Sequence, residues 1–129
     1  MPKKILVIDD EEIIIKSLSK LLERNGHEVF IAKNGEDAIV MIEEIDFDLI
    51  LADIRMPGIN GVEAVKCIYE KMAEKGEGRI PAIFITGYTD DITEKKAKSL
   101  SPEAYIYKPF DTKELLNTIN KILTKDNKK

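Results

Sequence analysis

A chain of 129 residues, 43% of them apolar, suffices for one domain with its own core, and the single cysteine, Cys67, excludes an internal disulfide or a multi-cysteine zinc site. A net charge of -4 argues against nucleic acid as a direct partner, because a phosphate backbone is bound by positive surface. No apolar run approaches the roughly 18 to 20 residues that span a bilayer, and MPKKILV has a basic pair but no secretory apolar stretch with a cleavage site; a cytoplasmic protein without membrane contact is expected.

The first expected strand runs from Lys4 to about Asp9, a continuous apolar run of the kind buried on both faces of a parallel sheet. A helix follows from about Glu11 to Asn25, with Ile14, Leu18, Leu21 and Leu22 on one stripe and Asn25-Gly26 as its stop. The second strand is Glu28 to Ala32. Asn34 can cap a second helix carrying Ala38, Ile39, Met41 and Ile42, and Leu49 to Asp53 is the third strand. The turn cluster Met56-Pro57-Gly58-Ile59-Asn60-Gly61 comes next and can hold backbone groups near a ligand.

Val62, Val65, Tyr69 and Met72 mark a third helix, ended by Gly76 to Gly78 before the strand Ala82 to Thr86. A fourth helix starts near Asp91, with Glu94 placed for a capping box, and runs to about Leu100, where Ser101-Pro102 breaks it. The fifth strand is Ala104 to Tyr107. The last helix starts at Asp111 with Glu114 as capping partner and buries Leu115, Ile119, Ile122 and Leu123. Five strands and five helices in strict alternation predict an α/β fold with a parallel sheet, a domain over 1–124, and a polar tail or linker stub over 125–129.

Four of the strands end in residues used by phosphoryl chemistry: Asp9-Asp10, Asp53, Thr86 and Lys108. In a parallel sheet these ends share one edge, so three carboxylates, a hydroxyl and an ammonium meet there. Crowded carboxylates raise each other's pKa unless a cation offsets them, and an all-oxygen set with few direct carboxylates suits Mg²⁺. A carboxylate beside Mg²⁺ can attack phosphorus to form an acyl phosphate while a lysine neutralises the transferred oxygens. Neither GxxxxGK[ST] nor GxGxxG occurs, which makes a nucleotide a poor phosphoryl donor here.

Taken in order, Asp9-Asp10, Asp53-Ile54-Arg55-Met56-Pro57-Gly58, Thr86-Gly87-Tyr88 and Lys108-Pro109-Phe110 resemble the receiver domain of bacterial two-component response regulators over about 3–123. The resemblance implies a doubly wound, flavodoxin-like sheet of order 2-1-3-4-5. It also implies that Asp53 accepts a phosphoryl group from a histidine of a partner sensor kinase or phosphotransfer protein. Asp10, Asp53 and the backbone carbonyl of Arg55 would ligate Mg²⁺, with Asp9 acting largely through water. Thr86 would be the switch hydroxyl, Lys108 the lysine that pairs with the phosphoryl group, and Tyr105 the switch aromatic, while Lys108-Pro109 matches a peptide bond that is usually cis. The fourth helix, fifth strand and fifth helix would form the surface read by an unidentified output partner.

Two features vary within that pattern. Ser101-Pro102-Glu103-Ala104 stands where many relatives have Gly-Ala before the switch aromatic, and bulky Arg55 and Tyr88 occupy variable positions that influence access of hydrolytic water. The expectation is that both side chains slow phosphoryl loss. Glu11 and Glu12 read as helix-dipole partners rather than ligands, Asp46 and Asp48 lie at the opposite edge, His27 lies in a turn, and Cys67 reads as a packing residue. Two other functions use similar residues: an aspartyl-phosphate phosphatase of the haloacid-dehalogenase type, whose Asp-x-Asp spacing Asp9-Asp10-Glu11 lacks, and a receiver-like docking module that takes no phosphate.

Overall fold

A computed structural model describes residues 2–56, 58–87 and 90–126. The alternation predicted from sequence is present, in the order β1 (Lys4–Ile8), α1 (Glu12–Arg24), β2 (Glu28–Ala32), α2 (Gly35–Glu44), β3 (Leu49–Ala52), α3 (Gly61–Glu74), β4 (Ala82–Thr86), α4 (Asp91–Ser99), β5 (Ala104–Tyr107) and α5 (Thr112–Asp126). All strand pairs are parallel and the sheet order is β2-β1-β3-β4-β5. This is the doubly wound, flavodoxin-like arrangement that the resemblance implied.

Strand alternation divides the core between the two faces of the sheet. Ile5, Val7, Leu49, Leu51, Ile83 and Ile85 pack with Leu18 and Leu22 of α1 and Leu115, Ile119, Ile122 and Leu123 of α5. Leu6, Ile8, Ile50, Ala52 and Phe84 point the other way, onto Ala38 of α2, Val62, Val65, Ile68 and Met72 of α3, and Ala97 of α4. Central strands are therefore apolar at nearly every position, the exceptions being Lys4 at the start of β1 and Thr86 at the end of β4. Edge strands β2 and β5 are mostly half-buried, as expected with neighbours on one side only.

Several boundaries differ from the sequence expectations. β1 and β3 stop at Ile8 and Ala52, which makes Asp9 and Asp53 the first residues past the ladder. On α1 the fully buried positions are Ile15, Leu18 and Leu22, with Ile14 and Leu21 half-buried, so the stripe is turned toward Ile15. Helix α4 starts at Asp91 as expected, and its cap is Asp90, whose carboxylate accepts from the Thr93 backbone N–H at 2.7 Å and from the Thr93 hydroxyl at 3.1 Å. Glu94 then falls one position beyond the capping-box site, and its carboxylate bonds Lys98 at 2.8 Å and the Tyr107 hydroxyl at 3.1 Å instead. Asn34 caps α2 through the Asp37 N–H as expected, and Asp111 accepts from the backbone N–H of Lys113 and of Glu114. No described helix is long and apolar enough to cross a membrane.

Candidate functional site

Register places the chemistry at one edge. Ile8 pairs with both Ala32 and Ala52, and the ladder is extended by Asp9 N–H to Ala32 O at 3.1 Å, Asp53 N–H to Ile8 O at 2.8 Å and Lys108 N–H to Thr86 O at 2.8 Å. Asp9, Asp53, Thr86 and Lys108 thus leave the carboxyl ends of β1, β3, β4 and β5 together. They border the point where the chain order of the sheet reverses, between β1 and β3, which is where open α/β sheets form ligand clefts.

The cleft has a volume of about 570 Å³ and is lined by Asp10, Glu11, Asp53, Arg55, Met56, Thr86, Gly87 and Lys108. Asp53 is 5% exposed, Asp9 2% and Thr86 0%, whereas Asp10 is exposed. Oxygens of Asp9, Asp10 and Asp53 all lie within 4.8 Å of one another. The Lys108 ammonium lies 3.5 Å from Asp53 Oδ2, 3.5 Å from Asp9 Oδ2 and 2.6 Å from Glu11 Oε1.

Burial, followed by the neighbouring charge of Asp9, pushes the Asp53 carboxyl up to about 6, although Lys108 and the Arg55 backbone N–H work against it. Burial likewise raises Asp9, partly offset by the Glu11 N–H and by Lys108. For Lys108 burial favours the neutral amine, but the bond to Glu11 and the charges of Asp53 and Asp9 outweigh it and raise the pKa. Three carboxylates, Asp9, Glu11 and Asp53, therefore share one ammonium, with Asp10 beside them, a surplus of negative charge that a small cation would relieve. The donor set is all oxygen and two of the three clustered aspartates are buried, which fits a hard divalent ion such as Mg²⁺.

Every sequence-predicted group of the acidic edge is assembled here: Asp9, Asp10, Asp53, Arg55, Thr86 and Lys108. Tyr105 lies aside on β5, half-buried, with its ring 6.4 Å from Phe84 and 5.3 Å from Tyr107, and the Lys98 ammonium 5.7 Å from its centroid. The Lys108–Pro109 bond is cis. Asp48 stands at the far edge, where it accepts the Lys4 N–H, and His27 precedes β2 at that same end, its ring nitrogens unbonded among the described residues. Pro57 and Tyr88 lie outside the described residues.

Two residues of the site escaped the sequence reading. Glu11, read as a helix-dipole partner, makes no side-chain cap bond and instead holds Lys108. Gly61 opens α3 where a Cβ would overlap the Asp53 carbonyl oxygen, so a glycine is what lets the helix pass under the acidic loop. The one local signal for it was a poor helix former at a helix start, directly after Asn60, which closes a reciprocal capping box with Glu63.

Comparison with known proteins agrees with this geometry. The model of the response regulator receiver domain matches residues 5–120. Protein PilH of Pseudomonas aeruginosa is 35% identical over 120 residues, which cover 93% of this chain and 97% of that protein. The chain spans about half the length of other curated relatives: the transcriptional regulatory protein CrdR of Helicobacter pylori is 35% identical over 126 residues, 98% of this chain but 57% of that protein. Among solved structures, a CheY-like response regulator receiver domain protein from Methanospirillum hungatei superposes with a TM-score of 0.88 at 30% identity, covering 99% of this chain and 98% of that one. A Vibrio cholerae chemotaxis protein does so with 0.82 at 28% identity over 95% and 99%. A sheet edge that gathers acids around one lysine, in a chain matched almost end to end, thus belongs to the response regulator receiver domains, the phosphorelay switches of two-component signalling.

Proposed function

We propose that Asp53 is the phosphoryl acceptor of this receiver and that its donor is a phosphohistidine on a partner sensor kinase or phosphotransfer protein. The observation that carries the reading is the Asp53 carboxylate, buried at the floor of an open cleft with the Lys108 ammonium 3.5 Å away. An Asp53 oxygen attacks phosphorus, the P–O bond forms as the P–N bond to the donor imidazole breaks, and the imidazole nitrogen keeps the electron pair and takes a proton. Lys108 moves onto the transferred oxygens and the Thr86 hydroxyl donates to them. Mg²⁺ would be held by Asp10, Asp53 and the Arg55 carbonyl, with Asp9 acting through water, and its charge would offset that of the phosphoryl oxygens. A chain that catalyses only its own phosphorylation and dephosphorylation is a switch in the cytoplasmic signalling chain rather than a turnover enzyme.

Output is proposed to pass through α4, β5 and α5. Thr86 lies in β4 and pairs with Tyr107 of β5, while the Tyr105 ring packs beside Phe84, so a shift of Thr86 toward the phosphoryl group reaches that surface directly. Arg55, exposed in the cleft lining, hinders water from reaching the acyl phosphate. Arg55→Ala is expected to shorten the phosphoryl half-life about two- to tenfold; an unchanged half-life removes that role.

The test is incubation with Mg²⁺ and acetyl phosphate followed by intact mass. Gain of one phosphoryl group that disappears in Asp53→Ala supports the reading, and steady phosphate release points to a phosphatase. Absence of an adduct here and with a phosphohistidine protein leaves a docking module.

A further inference from the structure

The ion pair between Glu11 and Lys108 joins residues far apart in sequence and has no part in the reaction just described. Lys108 is only 13% exposed, yet its ammonium lies closest to an exposed acid at the rim: 2.6 Å from Glu11, whose side chain is 58% exposed, against 3.5 Å from the buried Asp9 and Asp53. The lysine stem has little freedom. Its backbone N–H is fixed to Thr86 O, and its Cβ and Cδ lie 3.6 and 3.7 Å from where a Cβ on Gly87 would stand, so the stem runs close over that residue. Only the ammonium end can swing, between the rim carboxylate and the floor carboxylates. Glu11 is also free of other duty, since the cap of α1 takes nothing from its side chain and the neighbouring Glu12 is occupied by Lys33 at 2.5 Å.

We propose that Glu11 is a latch on Lys108: its carboxylate draws the ammonium toward the rim, holds it at 3.5 Å from the Asp9 and Asp53 oxygens that a divalent ion needs rather than in closer contact with them, and yields it when a phosphoryl group arrives. Glu11 is a positioning residue that acts through Lys108. The last clause rests on the reading of Asp53 as acceptor, while the first two concern the metal-free cluster alone. Exposure makes the latch releasable, because water replaces the ammonium around a rim carboxylate at little cost, and pairs this open shift an equilibrium by about two- to fivefold. Its two effects have opposite signs. Without the latch, Lys108 falls onto Asp9 and Asp53 and competes with Mg²⁺, but once Mg²⁺ is bound the free ammonium is available to phosphoryl oxygens.

The test uses Glu11→Gln, which removes the charge, and Glu11→Asp, which keeps it but draws it back by one methylene, out of reach of Lys108. Two titrations are followed by backbone and lysine side-chain NMR: Mg²⁺ alone, and beryllofluoride as phosphoryl mimic at saturating Mg²⁺. The latch predicts that both variants bind Mg²⁺ about two- to fivefold more weakly and beryllofluoride about two- to fivefold more tightly. Parallel losses in both titrations would show a merely structural role, and an Asp variant that behaves as wild type would show that charge alone matters; either overturns the proposal. If wild type binds no beryllofluoride, the acceptor reading fails while the Mg²⁺ titration still decides the latch: weaker binding in both variants supports it, and unchanged binding ends it.

Discussion

At the scale of single residues, the decisive property is the cost of the Asp53 charge. Its carboxyl is raised from the ordinary 3.8 to about 6, first by burial and then by Asp9. A folded-state pKa above the unfolded one means that the folded protein holds the proton more tightly, so this contribution to stability is complete below about pH 4 and is lost as pH climbs through about 6. Metal-free protein should therefore gain stability from Asp53→Asn at pH 7 to 8, on the order of 1 to 3 kcal/mol, and the gain should vanish near pH 4. Urea unfolding with a chelator at the two pH values checks the sign. The difference arises because the buried charge, beside Asp9, costs the fold more than the neutral form does.

Ser101 is a second residue held against its preference. Its φ of 54° lies in the left-handed region, just past α4, where an L side chain is strained and glycine is not. Ser101→Gly should raise stability by roughly 0.5 to 1 kcal/mol, measured as a shift in urea midpoint with an unchanged slope.

At the scale of elements, the segment between β3 and α3 fixes Asp53, the proposed nucleophile, from below. A methyl on Gly61 would overlap the Asp53 carbonyl oxygen, a backbone atom that cannot turn aside, whereas a methyl on Gly35 would meet chiefly the Ile59 side chain, which can shift, and the Ala64 Cβ at 3.0 Å. Gly61→Ala should thus cost about 1 to 3 kcal/mol or more and slow adduct formation about tenfold or more by displacing Asp53. Gly35→Ala should be the milder change on both measures, and equal effects would argue against the contact with Asp53. Unfolding and acetyl phosphate kinetics on the same preparations read the two quantities.

Elements also show what sequence can and cannot carry. β2, β4 and β5 fall where expected because each is a short apolar run bounded by turn residues, a signal contained within a few positions. The start of α4 at Asp91 also held, but Glu94 does not close a capping box, because Asp90 and Asp91 are equally good caps and only the spatial approach of the Thr93 N–H decides between them. The acidic edge was legible because strand ends converge in any parallel sheet. Glu11 was not, since its partner Lys108 is distant in sequence and reaches it only through the order of the strands. Gly61 was missed for the same reason: the atom it makes room for belongs to another element.

At the scale of the molecule, a sheet buried on both faces gives a rigid floor on which one edge can hold unfavourable charge. The same sheet connects that edge to the proposed readout surface, through β4 and β5, the Tyr107–Glu94 bond and the Lys98 ammonium over the Tyr105 ring, which tie β5 to α4. Helix α4 buries only Ala97 among its nine residues, so this tie is what holds a weakly anchored helix against β5.

As proposed, phosphoryl transfer to this chain ends on Asp53. After treatment with Mg²⁺ and acetyl phosphate, borohydride reduction converts an aspartyl phosphate into homoserine, whose position peptide mass mapping reads directly. Homoserine at position 53, dependent on Mg²⁺ and absent at positions 9 and 10, is the predicted result. Homoserine at another position, or none at position 53 in protein that has gained a phosphoryl group, would contradict it.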